Sequence, residues 1–296
     1  MIKLFWNTHN QQKPNSENKK IKEKQESNYG WGNYHKKSSN KWIFEILKKV
    51  EHESVDDLTN LQKEDTLIII DSGIEEKNEL YIKLNAICSK IFLFHLGDES
   101  GVRDLSTVYN HCHYVWRTFC SNKYFINNKV KCIPIGYKSG ISSKEKNKRK
   151  YKWAFTGTPH KSSRHDLLFQ FSGIKPFFCH RTEKFDVKII SVDEMSEVLS
   201  STEFIPCPNG FFHPETYRLY EALECGCIPI VENAYKYYDR LFPNNPFVKI
   251  DKWADAKPII NGWGSDQIKK KREECITWWK DEKNKIQDFI KNKIIS

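Results

Sequence analysis

The sequence predicts an α/β protein made of two successive series of alternating strands and helices. Three observations carry this. Short, fully apolar runs such as 66–70 (T-L-I-I-I) and 227–231 (C-I-P-I-V) suit strands covered on both faces. Helical segments separate these runs, which indicates βαβ units and a parallel sheet. A charged, nearly apolar-free stretch at 139–150 divides one series from the other and marks a domain boundary.

The first series opens with a strand at 2–6. Residues 7–34 are polar and lysine-rich and end in Tyr29-Gly-Trp-Gly-Asn-Tyr34-His35. Aromatic side chains spaced by glycines in a loop suit a sugar-stacking surface, and equally a plug for a hydrophobic groove. Helices are expected at 42–50 and 76–89, the second with Leu80, Leu84 and Ile87 on one face. Strands follow at 66–70, at 90–94, within 109–119 and at 130–135. Parallel sheets bind ligands beyond the carboxyl ends of their strands. Asp71, His95, Asp98, Glu99, Arg117 and Tyr137 all fall there.

The second series begins with a strand at 151–155 that ends in Thr156-Gly157-Thr158, and a helix from 162 to 171. A strand at 175–179 reaches His180-Arg181, and a short helix at 192–199 follows. The strand at 203–207 then stops at Pro208-Asn209-Gly210, a strong turn signal. Pro214, Glu215 and Thr216 start a helix over 217–224, which Cys225-Gly226 closes before the strand at 227–231. A last strand at 247–250 precedes a long amphipathic helix over 265–290. The expected domains are 1–143 and 144–296, with a terminal helix of about 265–292 packing back on the first. This is a GT-B-like plan of two Rossmann-like domains facing across a cleft.

Bulk properties narrow the function. With 39% apolar residues and 18 Phe the chain can bury a core and is not disordered. Its net charge of +10 favours anionic ligands. Nucleic acid is disfavoured, because the basic residues are dispersed and no helix-turn-helix, RNA-recognition or zinc-finger signature occurs. Nine cysteines form no C-x-x-C pair, so neither zinc nor a disulfide is expected. With no signal peptide and no membrane span in the sequence, the expectation is a soluble protein in a reducing cytoplasm.

The stretch from Ser201 to Asn233 carries the chemistry. A helix started at 214–216 turns free backbone N–H groups and a positive dipole end toward the preceding loop, which suits a phosphate. Arg218 adds a bidentate phosphate contact, and Glu221 can accept from ribose hydroxyls. The structural alternative is a simple i,i+3 surface ion pair between the two. Gly157, Thr158 and Arg164 form a second start of the same kind, and Arg181, Asn209, Gly210 and His213 occupy the surrounding loops. His95-x-x-Asp98-Glu99 offers a general base. Alternatively, Asp98 caps the next helix and His95 is a satisfied core residue. Asp71 is placed for capping.

Five segments resemble exostosin-type inverting glycosyltransferases: F-H-L-G-D-E at 94–99, V-W-R at 115–117, I-P-I-G-Y at 133–137, W-A-F-T-G-T through S-R at 153–164, and 201–233. The resemblance implies a GT-B fold with a nucleotide-sugar donor on the C-terminal domain and a glycan acceptor on the N-terminal one. Arg164 and Arg218 would hold the diphosphate, Glu221 the ribose, and Asp98 or Glu99 would be the base. Trp31, Tyr34, His35, Asp71, Arg117 and Tyr137 become acceptor-binding candidates; Gly157, Thr158, Arg181, Asn209, Gly210, His213, Glu215 and Thr216 join the donor site. No Asp-x-Asp occurs, so arginines and helix amides are expected to carry the leaving-group charge without a metal. Retaining enzymes often place a Glu eight residues before the ribose Glu; His213 stands there, which favours inversion. The expected activity is transfer from a UDP-linked sugar, such as UDP-xylose or a UDP-hexose, to a glycan hydroxyl, with no other cofactor. An inactive glycan- or nucleotide-binding module on the same fold is the alternative.

Overall fold

The computed structural model describes residues 1–8, 31–74, 77–125, 127–144, 149–183 and 190–296. The chain divides into two compact units, Met1–Pro134 with Gln287–Ser296, and Ile135–Ile286. Residues Ile135–Pro214 and beyond therefore group with the second unit from a point upstream of the charged stretch. Each unit is a parallel sheet with helices, and the α/β, GT-B-like class expected from the sequence is the class observed.

The first unit holds six strands: β1 (Ile2–Trp6), β2 (Glu53–Val55), β3 (Thr66–Asp71), β4 (Lys90–His95), β5 (Tyr114–Arg117) and β6 (Val130–Cys132). Their order is β2-β1-β3-β4-β5-β6, all parallel. The central strands are buried along nearly their whole length, as their unbroken apolar runs require. Phe94 stacks on Trp116 across β4 and β5 at 4.7 Å between ring centroids.

Helix α1 (Trp31–Ile46) departs from the expected loop ending at His35 and helix at 42–50. Its buried stripe is His35, Ser39, Trp42, Ile43 and Ile46, at helical spacing. The first two members are polar, so hydropathy alone sees the stripe only from Trp42 onward. Trp42 is anchored by its indole N–H, which donates to the Pro134 carbonyl at 2.9 Å. Tyr29 and most of the preceding lysine-rich segment lie outside the described residues, as does the Trp31 side chain.

Helices α2 (Asn78–Ile87), α3 (Ser106–Asn110) and α4 (Asn122–Phe125) complete the connections of the first unit. Cys120 and Cys132 are joined by a disulfide, with Cα atoms 5.7 Å apart, which corrects the expectation that every cysteine is reduced. Cys120, in the turn after β5, meets Cys132 at the end of β6 through the fold, and such a pairing has no characteristic spacing along the sequence. The other seven cysteines are free.

The second unit holds β7 (Tyr151–Gly157), β8 (Phe177–Arg181), β9 (Thr202–Cys207), β10 (Ile228–Glu232) and β11 (Val248–Ile250) in the order β11-β10-β9-β7-β8. Its helices are α5 (Arg164–Phe171), α6 (Val192–Ser200), α7 (Tyr217–Glu224), α8 (Tyr237–Leu241), α9 (Ala256–Gly262) and α10 (Ser265–Ile295). Trp153, Phe155, Phe171, Phe204, Ile230 and Trp253 form its core. Helix α6 starts with a capping box in which Ser191 and Glu194 exchange hydrogen bonds. Within the second unit, Trp279 and Lys283 of α10 both hold Glu224 at 2.9 Å. The last nine residues of α10 belong to the first unit, where Asp288 pairs with Lys49 at 2.7 Å and Gln287 donates to the Glu45 carbonyl at 3.0 Å.

Candidate active site

The strand order of the second unit creates its candidate site. The chain runs from β7 outward to β8 and then returns to lay β9 on the other side of β7. Loops from β7 and β9 therefore diverge in opposite directions and leave a crevice at the carboxyl ends of these strands, the usual ligand position in open α/β sheets.

Two arginines occupy this crevice. Arg218, on the first turn of α7, donates to the Thr156 carbonyl on β7 at 2.6 Å and lies over the Phe155 ring at 4.9 Å. Arg164, the first residue of α5, donates from Nη1 to the Thr158 carbonyl at 3.0 Å, and its Nε is buried with no partner. Burial, and then the charge of Arg218, push the Arg164 guanidinium down to about 10. Burial likewise lowers Arg218. Among the described residues no carboxylate forms an ion pair with either. The Glu221 carboxylate acts on Arg218 through space, but two neighbouring cations with no direct ion pair remain costly unless an anion is bound between them. Gly157 keeps the approach open: its φ is +126°, and an added Cβ would lie 3.3 Å from Arg218 Nη2.

Further groups face the same strand ends. Thr216, at the N-cap of α7, leaves its hydroxyl buried and unpartnered, as does the Asn209 side-chain carbonyl. Glu221 accepts from the Lys138 backbone N–H, and burial raises its carboxyl above the usual range. Glu232, at the end of β10, accepts from Ser163 Oγ at 2.6 Å and from the Asn209 N–H at 3.2 Å, tying the α5 and β9 loops together. Neither Ser163 nor Glu232 was a sequence candidate, although Glu232 meets the same strand-end criterion as the residues that were.

Other donor-site candidates shape loops. Gly210 N–H donates to the His213 carbonyl at 2.8 Å, and His213 Nδ1 accepts from the Glu215 N–H at 3.1 Å. Glu215 is buried and accepts from the Ile135 N–H at 2.9 Å, from the Tyr237 hydroxyl at 2.9 Å and from the Tyr220 hydroxyl. Arg181 is exposed at the end of β8. Burial pushes the Glu215 carboxyl up to about 7. Because the folded value lies above the unfolded one, the contribution is full below about pH 4.5 and is lost as pH rises through 7. Comparison of urea midpoints between wild type and Glu215→Gln should show wild type losing on the order of 2–3 kcal/mol more between these pH values. Parallel profiles would remove Glu215 as the source.

In the first unit, Asp71, His95 and Arg117 stand in one row across β3, β4 and β5 through the register pairs Asp71↔His95 and His95↔Arg117. Asp71 is 1% exposed and accepts from five donors: Asn7, the Ser72 and Gly73 amides, Lys77 and Tyr81. It organises the strand end. The Tyr109 hydroxyl accepts from Arg117 Nη1 at 3.3 Å and is hydrogen-bonded to His95 Nδ1 at 2.8 Å. His95 Nε2 is buried without a partner, and burial holds His95 neutral. Asp98 is not a helix cap. Its carboxylate is fully buried and paired with Arg117 at 3.2 Å, while Asp104 receives the Ser106 N–H of α3. Glu99 is half-buried. His35 is 9% exposed, and burial holds it down to about 4; Tyr34 packs edge-on against it at 5.6 Å. Tyr137 is buried in the second unit, apart from the other acceptor candidates.

The sequence pattern of the RXYLT1 C-terminal domain matches residues 137–295, more than half of the chain. The chain belongs to the RXYLT1 C-terminal domain family. This is a glycosyltransferase family, and the matched segment holds Arg164, Arg218, Glu221 and the rest of the second-unit site. Among solved structures, the chain is similar to one titled as the crystal structure of an alpha1,3-fucosyltransferase, at 12% identity and a TM-score of 0.50, covering 99% of this chain and 90% of that one. At that identity the likeness shows the GT-B-like fold alone. Comparison with curated proteins returns no match. Among the described residues no helix is long and apolar enough to cross a membrane.

Proposed function

We propose that this glycosyltransferase family member moves a sugar from a nucleoside-diphosphate donor to a glycan hydroxyl, with inversion, in the manner of exostosin-related enzymes. The observation that carries the reading is the pair of arginines at the switch point of the second sheet, Arg164 buried and Arg218 half-buried, neither in an ion pair with a carboxylate among the described residues. They bind the diphosphate and stabilise the charge that develops on it as the glycosidic bond breaks, in place of a metal. The unpartnered Thr216 hydroxyl and the amides of the α7 start add neutral donors. Glu221, held by the Lys138 amide, accepts from the ribose hydroxyls.

On the acceptor side the base candidates are Glu99, Asp98 and His95. Arg117 engages Asp98 in an ion pair, and burial keeps His95 neutral. The donor is proposed as UDP-linked, with UDP-xylose and UDP-hexoses as the sugars to try. A nucleotide-binding module without turnover is the second reading, favoured by the engagement of Asp98 in an ion pair.

A thermal-shift screen against UDP, GDP, CMP and UDP-sugars, with and without EDTA, tests the donor site. A nucleotide at a hundred times its Kd should add about 2.7 kcal/mol of stability. Selective stabilisation by one nucleotide, insensitive to EDTA, is the expected result. No response to any nucleotide would sink the proposal, and binding without turnover on a panel of glycans would support the second reading.

A further inference from the structure

Cys120 lies three residues past the end of β5, and Cys132 is the last residue of β6. Their bond ties the turn 118–121 onto the edge of the sheet. This turn is where Arg117 is anchored: Nε donates to the Thr118 carbonyl at 3.1 Å and Nη2 to the Phe119 carbonyl at 3.3 Å. The same Nη2 reaches the Asp98 carbonyl at 3.4 Å and the Asp98 carboxylate at 3.2 Å.

The acidic loop 97–101 touches the turn at two further points. Gly97 N–H donates to the Thr118 hydroxyl at 3.2 Å, and an added Cβ on Gly101 would lie 3.3 Å from Ser121 Cβ. Each loop also contains one left-handed residue that is not glycine, Asp98 at φ 56° and Phe119 at φ 55°. Such conformations persist only where the surroundings over-determine them. Here the surroundings are Arg117 and the turn that the disulfide holds.

We propose that the Cys120–Cys132 disulfide is a positioning element for the acidic loop 97–101, so that thiol reductants alter the loop's geometry. Its effect on turnover rests on the transferase reading above; its effect on the loop does not. Cys120 is 5% exposed and Cys132 half-buried, so a small dithiol reaches the bond from the Cys132 side. Reduction breaks the S–S bond and forms two S–H groups. The dithiol closes to its own cyclic disulfide, giving up two electrons and two protons in the exchange.

The test uses the full chain untreated, after dithiothreitol, and as Cys132→Ser. Amide hydrogen exchange is followed by mass spectrometry in 96–101 and 118–121, with 202–232 of the second unit as reference. Exchange in the first two segments should rise by about tenfold in the reduced protein and in the variant, with the reference unchanged. On the transferase reading, kcat should fall by about tenfold while KM for the donor holds, because a small displacement of a reacting group slows chemistry without weakening distant binding. If the transferase reading fails there is no turnover to compare, and the exchange result alone decides. Should Cys132→Ser not fold, reduction of the native chain gives the same comparison. Unchanged exchange after alkylation has confirmed two new thiols would overturn the proposal. So would alkylation of both cysteines in untreated protein, or an equal rise in the reference segment.

Discussion

Arg218→Ala should abolish stabilisation by nucleotide and lower kcat/KM for transfer by about 10²–10³-fold, while the protein stays folded. Arg218 is held in place by the Thr156 carbonyl and the Phe155 ring, and no carboxylate among the described residues forms an ion pair with it, although the Glu221 charge acts on it through space. Its folded-state interactions are a charge-assisted hydrogen bond to a neutral carbonyl and a cation–π contact, worth on the order of 2–4 kcal/mol together. Their loss is partly offset because the site no longer desolvates a charge. The diphosphate, by contrast, loses a preorganised cation where its charge grows. Arg218→Lys should recover only part of the activity, since an ammonium cannot hold the Thr156 carbonyl and present two parallel donors to a phosphate. Arg181→Ala, at an exposed strand end, is the control and should have little effect. Turnover and nucleotide affinity unchanged in Arg218→Ala would remove the crevice between β7 and β9 as the donor site.

Arg117→Leu should cost about 3–5 kcal/mol of stability, the largest effect expected of any single substitution in the first unit. Both side chains of the Arg117–Asp98 pair have 0% exposure. Removing the guanidinium strands the Asp98 carboxylate and the Thr118 and Phe119 carbonyls in a site without solvent. Adding Asp98→Leu to Arg117→Leu should restore part of the loss, because a neutral pair leaves no uncompensated charge. Urea denaturation followed by tryptophan fluorescence, with Trp116 beside the pair on β5, reads the change. A loss below about 1 kcal/mol is the behaviour of a solvated surface pair and would contradict the buried network.

Several features were legible in the sequence because they depend on neighbours along the chain. The buried strands announced themselves as apolar runs, and α7 was bounded by Thr216 and Cys225-Gly226. Helix α1 was half-missed because His35 and Ser39 fill its buried stripe where apolar residues were sought. The strand-end rule found Asp71, His95 and Arg117 one by one. It did not find that they form a row, or that Tyr109 links two of them, because register between parallel strands leaves no local trace. The Cys120–Cys132 pair left no trace either, because a turn and a strand end meet only through the fold.

By itself, the sequence determined that the chain is two parallel α/β series ended by a long helix. It also determined that two helix starts in the second series carry an arginine on their first turn. Periodicity and capping decide such matters within a few residues. Only the tertiary structure decided that β9 crosses to the far side of β7, so that Arg218 touches Thr156 and both arginines share one crevice. It alone decided that Asp98, one of the expected base candidates, is buried against Arg117. Strand order and ion pairing are settled by burial of surfaces distant in sequence, where charge must be desolvated against whatever the fold brings beside it.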